Sequence, residues 1–162
     1  MTAATLTGTR AAAAYKKTGA GSGPAFNVKA AYGEVTIDSA TEDGDIFEAC
    51  WVPGGATVIG GWVVANDGDT GIEALDIDIG WAANGVDAAD PDGLGNFGTW
   101  TGDASSGGTT EAINHLALGG VLATAGPKTF TVPTKIQLET NTAAATGVAM
   151  NVTVVVLYLY NE

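Results

Sequence analysis

Apolar and polar residues alternate with period two along most of the chain after residue 31, the pattern of half-buried β-strands. Residues 32–38 (YGEVTID) set Val35 and Ile37 on one face against Glu34, Thr36 and Asp38 on the other. Residues 46–52 (IFEACWV) are apolar on both faces, which predicts a strand covered on both sides; Pro53-Gly54-Gly55 ends it. Residues 56–65 follow, and the Gly60-Gly61 pair predicts a bulge or a close backbone approach. Asn66-Asp67-Gly68-Asp69 reads as a hairpin turn, because these residues tolerate positive φ. Residues 73–81 (EALDIDIGW) alternate most clearly, with Leu75, Ile77 and Ile79 inward and Asp76 and Asp78 toward water.

Residues 82–110, rich in Gly, Asp and Ser, read as a long loop, and 111–118 fits a helical turn or a strand equally well. Short strands are expected at 128–132 and 135–140, either side of Pro133. The last strand, 147–160, places Val148, Met150, Val152, Val154, Val156, Tyr158 and Tyr160 on one face. Its other face is apolar at Val155, Leu157 and Leu159. A strand apolar on both faces belongs mid-sheet or under a second subunit. The fold class is therefore all-β: an antiparallel β-sandwich, jelly-roll-like, with an extended N-terminal arm.

Charge divides the chain in two. Residues 1–33 carry Arg10, Lys16, Lys17 and Lys29 and no acid, a charge of +4; the remainder carries −16, for a net −12. Residues 1–31 read as a flexible basic N-terminal arm, hinged at Gly19, Gly21, Gly23 and Pro24, and residues 32–162 as the sandwich domain. Arg10, Tyr15, Lys16 and Lys17 are the partner-binding candidates of the arm. An acidic partner suits them, and neighbouring copies qualify. The acidic body argues against nucleic acid and anionic membrane as partners. The first residues, with four alanines as their only apolar run and the charges after it, do not resemble a secretory leader. Assembly in a cytoplasm is the expectation.

Catalytic chemistry is sparse. One Cys and one His, Cys50 and His115, exclude an internal disulfide and a thiolate zinc site. No nucleophile elbow or phosphate loop accompanies them. An enzyme is not expected, and no cofactor is. Calcium is the one metal worth testing, because Asp67, Asp69, Asp87, Asp90 and Asp92 lie on turn-rich segments that supply hard oxygen ligands. Turn formation accounts for the same residues. Trp81, Phe97 and Trp100 border the 82–110 loop and could stack sugar rings or fill a subunit contact. Tyr158 and Tyr160 join them as partner-binding candidates on the last strand.

Residues 52–62 (VPGGATVIGGW), then Asn66-Asp67 and residues 74–80 (ALDIDIG), resemble small β-rich head structural proteins of tailed bacteriophages, as does the Val- and Tyr-rich stretch 152–160. The resemblance spans residues 30–82 and 147–160. It implies a capsid decoration or cement protein on the virion surface. Such a protein binds the major capsid protein and its own copies, commonly as a trimer, and copies would meet through the outward face of the last strand. The alternative is a carbohydrate- or host-surface-binding module of a fibre, tail or knob, using the 82–110 loop.

Overall fold

A computed structural model describes residues 27–70, 72, 74–100 and 113–160. Among them run nine strands: β1 (Asn27–Ile37), β2 (Ile46–Val52), β3 (Thr57–Asn66), β4 (Asp76–Trp81), β5 (Asp90–Gly95), β6 (Ile113–Ala117), β7 (Lys128–Thr129), β8 (Thr134–Thr142) and β9 (Met150–Tyr160). A single helical turn, α1 (Val121–Thr124), precedes β7. All pairings are antiparallel. One sheet has the order β1-β9-β3-β6, with β7 added to β3, and the other has the order β2-β8-β4-β5. The chain passes repeatedly between the two sheets of an antiparallel β-sandwich.

The core is the inward parity of each strand. Ile37, Val52, Val63, Ile77, Ile79, Leu94, Ile136, Leu138, Val152, Val154 and Val156 are buried between the sheets around Phe130. β9 lies mid-sheet between β1 and β3, one of the two placements its apolar faces suggested. The Gly60-Gly61 pair marks a bulge in the β3–β9 register. At Gly61, with φ 149°, a side chain would meet the Val155 carbonyl. Gly33 has the same role between sheets: a Cβ there would run into the Ala49 carbonyl of β2, so only Gly lets β1 and β2 close one side of the sandwich.

Several sequence expectations are corrected. β1 begins at Asn27 and pairs with β9 along its whole length, so residues 27–31, read as the end of the arm, belong to the sheet. Backbone pairing needs no apolar alternation, which is why the pattern missed them. Asn66–Asp69 is no hairpin: β3 and β4 lie in different sheets, and this segment crosses between them. β2 is an edge strand with Ile46 and Trp51 exposed, not one covered on both faces. The 82–110 segment contains β5, and residues 113–117 are strand. Asp78, expected in water, is buried at 6% exposure.

Candidate functional site

The described residues offer little for catalysis. Cys50 is buried in β2, and burial pushes its thiol up to about 11, away from thiolate reactivity. The side chain of His115 lies outside the described residues, as do Arg10, Tyr15, Lys16 and Lys17. No three His, Cys, Asp or Glu side chains among the described residues converge as metal ligands.

The aspartates considered for calcium make hydrogen bonds within the chain. Asp69 accepts four backbone N–H groups, and Asp67 Oδ1 accepts the Asp69 N–H at 3.0 Å. Asp87 binds Lys128 Nζ at 2.7 Å and the Asn84 amide at 3.1 Å. Those two hydrogen bonds hold its carboxyl below the usual range. Asp90 is raised, first by burial and then by the hydrogen bond and charge it shares with Asp92.

The aromatic candidates of the loop are internal. Trp81 and Trp100 are each 3% exposed, and Phe97 is half-buried against the core. Trp81 packs edge-on against Phe130 at 5.3 Å and donates Nε1–H to the Ala88 carbonyl at 3.0 Å. Trp100 donates to the Ile77 carbonyl at 3.0 Å and meets Phe97 edge-on. β5 causes this arrangement. It pairs with β4 and leads residues 96–100 back along the edge of β4, where the Trp100 N–H reaches the Leu75 carbonyl. Tyr158 is buried on the inward parity of β9, and Tyr160 is half-buried beside it with Lys29 over its ring. Register and packing therefore bury Trp81, Trp100 and Tyr158 within the sandwich.

Three other surfaces carry exposed chemistry. The first is the outer face of the β1-β9-β3-β6 sheet. Register aligns Tyr32, Val155, Trp62 and Ala117 in one row across four strands. Ala30, Leu157 and Gly60 form the next row, and Val28, Leu159 and Thr57 the one beyond. Tyr32 is 73% exposed, Val28 57% and Trp62 36%. Contiguous apolar rows of this kind mark interaction sites, whereas isolated surface hydrophobes do not. Sequence named Val155, Leu157 and Leu159. Tyr32 and Trp62 join them only through the pairing of strands distant in sequence.

The second surface is acidic. Asp76 and Asp78 of β4 and Glu139 of β8 lie on the outer side of the other sheet, and Asp92 of β5 is close enough to act on Asp78. Asp78 stands opposite Glu139 in the register. Burial, then the charges of Asp76 and Asp92, raise the Asp78 carboxyl to about 6; the Phe97 N–H opposes the shift, and Glu139 adds to it. Asp76 Oδ1 and Asp78 Oδ1 are enclosed with no hydrogen-bond donor.

The third is a shallow cleft of about 250 Å³ lined by Trp51, Ala82, Ala83, Asn84, Pro133 and Lys135. Lys135 Nζ sits 5.2 Å from the centroid of the Trp51 ring and pairs with Glu48.

No protein-family model and no curated protein sequence matches the chain. Chains of solved bacteriophage capsid structures share its fold. One, from the Cyanophage Pam1 capsid asymmetric unit, is 24% identical, with a TM-score of 0.58 over 87% of this chain and 90% of its own. A chain from the capsid of Ralstonia phage GP4 is 19% identical, with a TM-score of 0.61 over 84% and 86%. A third, from the acidic stable capsid structure of Helicobacter pylori bacteriophage KHP30, is 15% identical, with a TM-score of 0.52 over 83% and 89%. This chain thus has a β-sandwich fold that occurs in phage capsids, in keeping with the resemblance read from residues 52–80.

Proposed function

We propose that this chain is a non-enzymatic structural protein of a bacteriophage virion: a decoration protein on the capsid surface, assembled in the host cytoplasm. In this reading it stabilises the shell by binding the major capsid protein and its own copies, as a closed trimer. The observation that carries the reading is the four-strand apolar face centred on Tyr32, Val155 and Trp62. Bringing it against the shell removes aromatic and aliphatic area from water, at about 25 cal/mol per Å². Like charge on a body of net −16 opposes close approach of two copies unless charges are matched, so a charge-poor face suits a different protein better. The shared fold with capsid chains supports the virion setting.

Replacing Tyr32 and Trp62 together by Lys sets two ammonium groups in the middle of that face. Both side chains point outward, so circular dichroism and melting should stay near wild type. Sedimentation with shells stripped of the protein should show binding weakened at least about 100-fold, because two hot-spot aromatics are lost and two charges must be desolvated. Undiminished binding would rule the face out as the shell contact.

The Trp51 cleft favours a second reading, a carbohydrate- or host-surface-binding module. Trp51 is 58% exposed, and the neighbouring Lys135–Glu48 pair offers both a donor and an acceptor for hydroxyl groups. A glycan array probed with wild type and Trp51→Ala decides it. Hits lost in the variant support a sugar site, and an empty array removes it.

A further inference from the structure

We propose that the acidic outer face formed by β4, β5 and β8 is the docking site for the basic N-terminal segment, residues 1–26, of a neighbouring copy. The proposal rests on the reading of the chain as a self-assembling virion component, and it says where copies join.

Among the described residues, Asp78 has no counter-charge. The charged groups that act on it there are all acidic: Asp76 on its own strand, Asp92 on β5 and Glu139 on β8. Asp78 is 6% exposed, yet its Oδ1 has no donor, and the Oδ1 of Asp76 is likewise enclosed without one. Enclosed carboxylate oxygens without donors are destabilising, and an arriving N–H or N⁺–H group relieves them. Asp92, exposed on β5, extends the acidic surface and shares a hydrogen bond with Asp90.

The described residues have no cation to spare for it. They contain three: Lys128 binds Asp87, Lys135 binds Glu48, and Lys29 lies over Tyr160 on the other sheet. Lys128 also acts on Asp90, but its ammonium is held by Asp87. The other three cations of the chain, Arg10, Lys16 and Lys17, all lie in residues 1–26, which contain no acid. Guanidinium and ammonium groups are the donors that clustered carboxylates take best.

Topology selects a neighbour over the same copy. The segment enters the fold at Asn27 of β1, an edge strand of one sheet. The acidic face is built on β4 and β5, at the far edge of the opposite sheet from β2, the strand against which β1 packs. A segment docking on its own copy must wrap round the sandwich, whereas one docking on a neighbour need not. Fully extended, 26 residues reach on the order of 85 Å.

The test uses two full-length variants. One reverses the segment (Arg10→Glu, Lys16→Glu, Lys17→Glu). The other reverses the face (Asp92→Lys, Glu139→Lys) and leaves buried Asp78 in place. Melting curves confirm that both are folded, and the face variant, relieved of like-charge repulsion, should melt no lower than wild type. Light scattering at low ionic strength should show wild type associating and each variant alone weakened at least about tenfold. An equimolar mixture should recover association, because each segment then meets a face of opposite sign. Added salt should weaken wild-type association. Variants that associate like wild type, a mixture that does not recover, or a wild type monomeric at every concentration would each overturn the proposal. Shell binding by wild type and by the Tyr32, Trp62 double variant is read separately, so the decoration reading stands or falls on its own.

Discussion

Replacing Asp69 by Ala should lower the free energy of unfolding by about 3–5 kcal/mol, the range for stranding buried partners of a charged group. Asp69 is 1% exposed. Its Oδ2 accepts the N–H groups of Ala74 at 2.9 Å, Leu75 at 3.3 Å and Ala145 at 2.9 Å, and its Oδ1 accepts that of Thr146 at 2.8 Å. One carboxylate thus ties the crossover after β3 to the entry of β4 and to the segment leading into β9. Backbone bonds from Thr70 to Thr146 and from Val148 to Gly68 reinforce the tie. Asn is no remedy, because its NH₂ would face N–H donors where an oxygen now accepts. Urea titration of Asp69→Ala and Asp69→Asn checks this, and a loss under about 1 kcal/mol in both would refute it.

The same carboxylate sets a pH dependence. Burial pushes the Asp69 carboxyl up, but the four N–H groups outweigh it, and it lies below its ordinary value when folded. A lowered folded pKa means that the folded state binds fewer protons. The stabilisation is present above the ordinary carboxylate range and is lost as pH falls through the folded value.

Asp78 should behave in the opposite sense, and Asp78→Asn should stabilise the protein at pH 8. Its carboxyl is raised from 3.8 to about 6, so the folded state binds the proton more tightly than the unfolded one. Stability from this group is complete below pH 3.8 and declines as pH rises through about 6. The full decline is at most about 3 kcal/mol, from 1.36 kcal/mol per pKa unit. An Asn holds the neutral form permanently and still accepts the Phe97 N–H. The variant should therefore gain up to about 3 kcal/mol over wild type at pH 8, with the gain vanishing by about pH 4. Paired urea titrations at the two pH values measure it. A difference that does not change with pH would mean that Asp78 titrates as an ordinary surface carboxylate.

These two aspartates show what could be read along the chain and what could not. Both sit in segments whose local reading was plausible: Asp69 in a run of turn formers, Asp78 in the cleanest alternation of the protein. Alternation correctly placed Ile77 and Ile79 inward. It could not show that residues 96–100 fold back along β4 and place the Phe97 N–H on Asp78. Nor could it show that the carboxylate of Asp69 would find donors 76 and 77 residues away. Trp81 and Trp100 repeat the lesson. An aromatic beside a glycine-rich segment looks available to a partner until the strand concealed in that segment carries it into the core.

By itself the sequence determined the all-β class, the two apolar faces of the last strand, the irregularity at Gly60-Gly61, and the division into a basic leading segment and an acidic body. Each of these follows from local spacing or from composition, because side-chain parity along a strand and net charge need no knowledge of distant neighbours. Only the tertiary structure decided which strands pair, and therefore which residues share a surface. Register set Tyr32 and Trp62 beside Val155, placed Asp78 against Glu139, and turned Tyr158 inward. The physical reason is that a strand's pattern specifies two faces but not its partner. Partner choice is a property of the whole sandwich, settled by closing long loops around one common core.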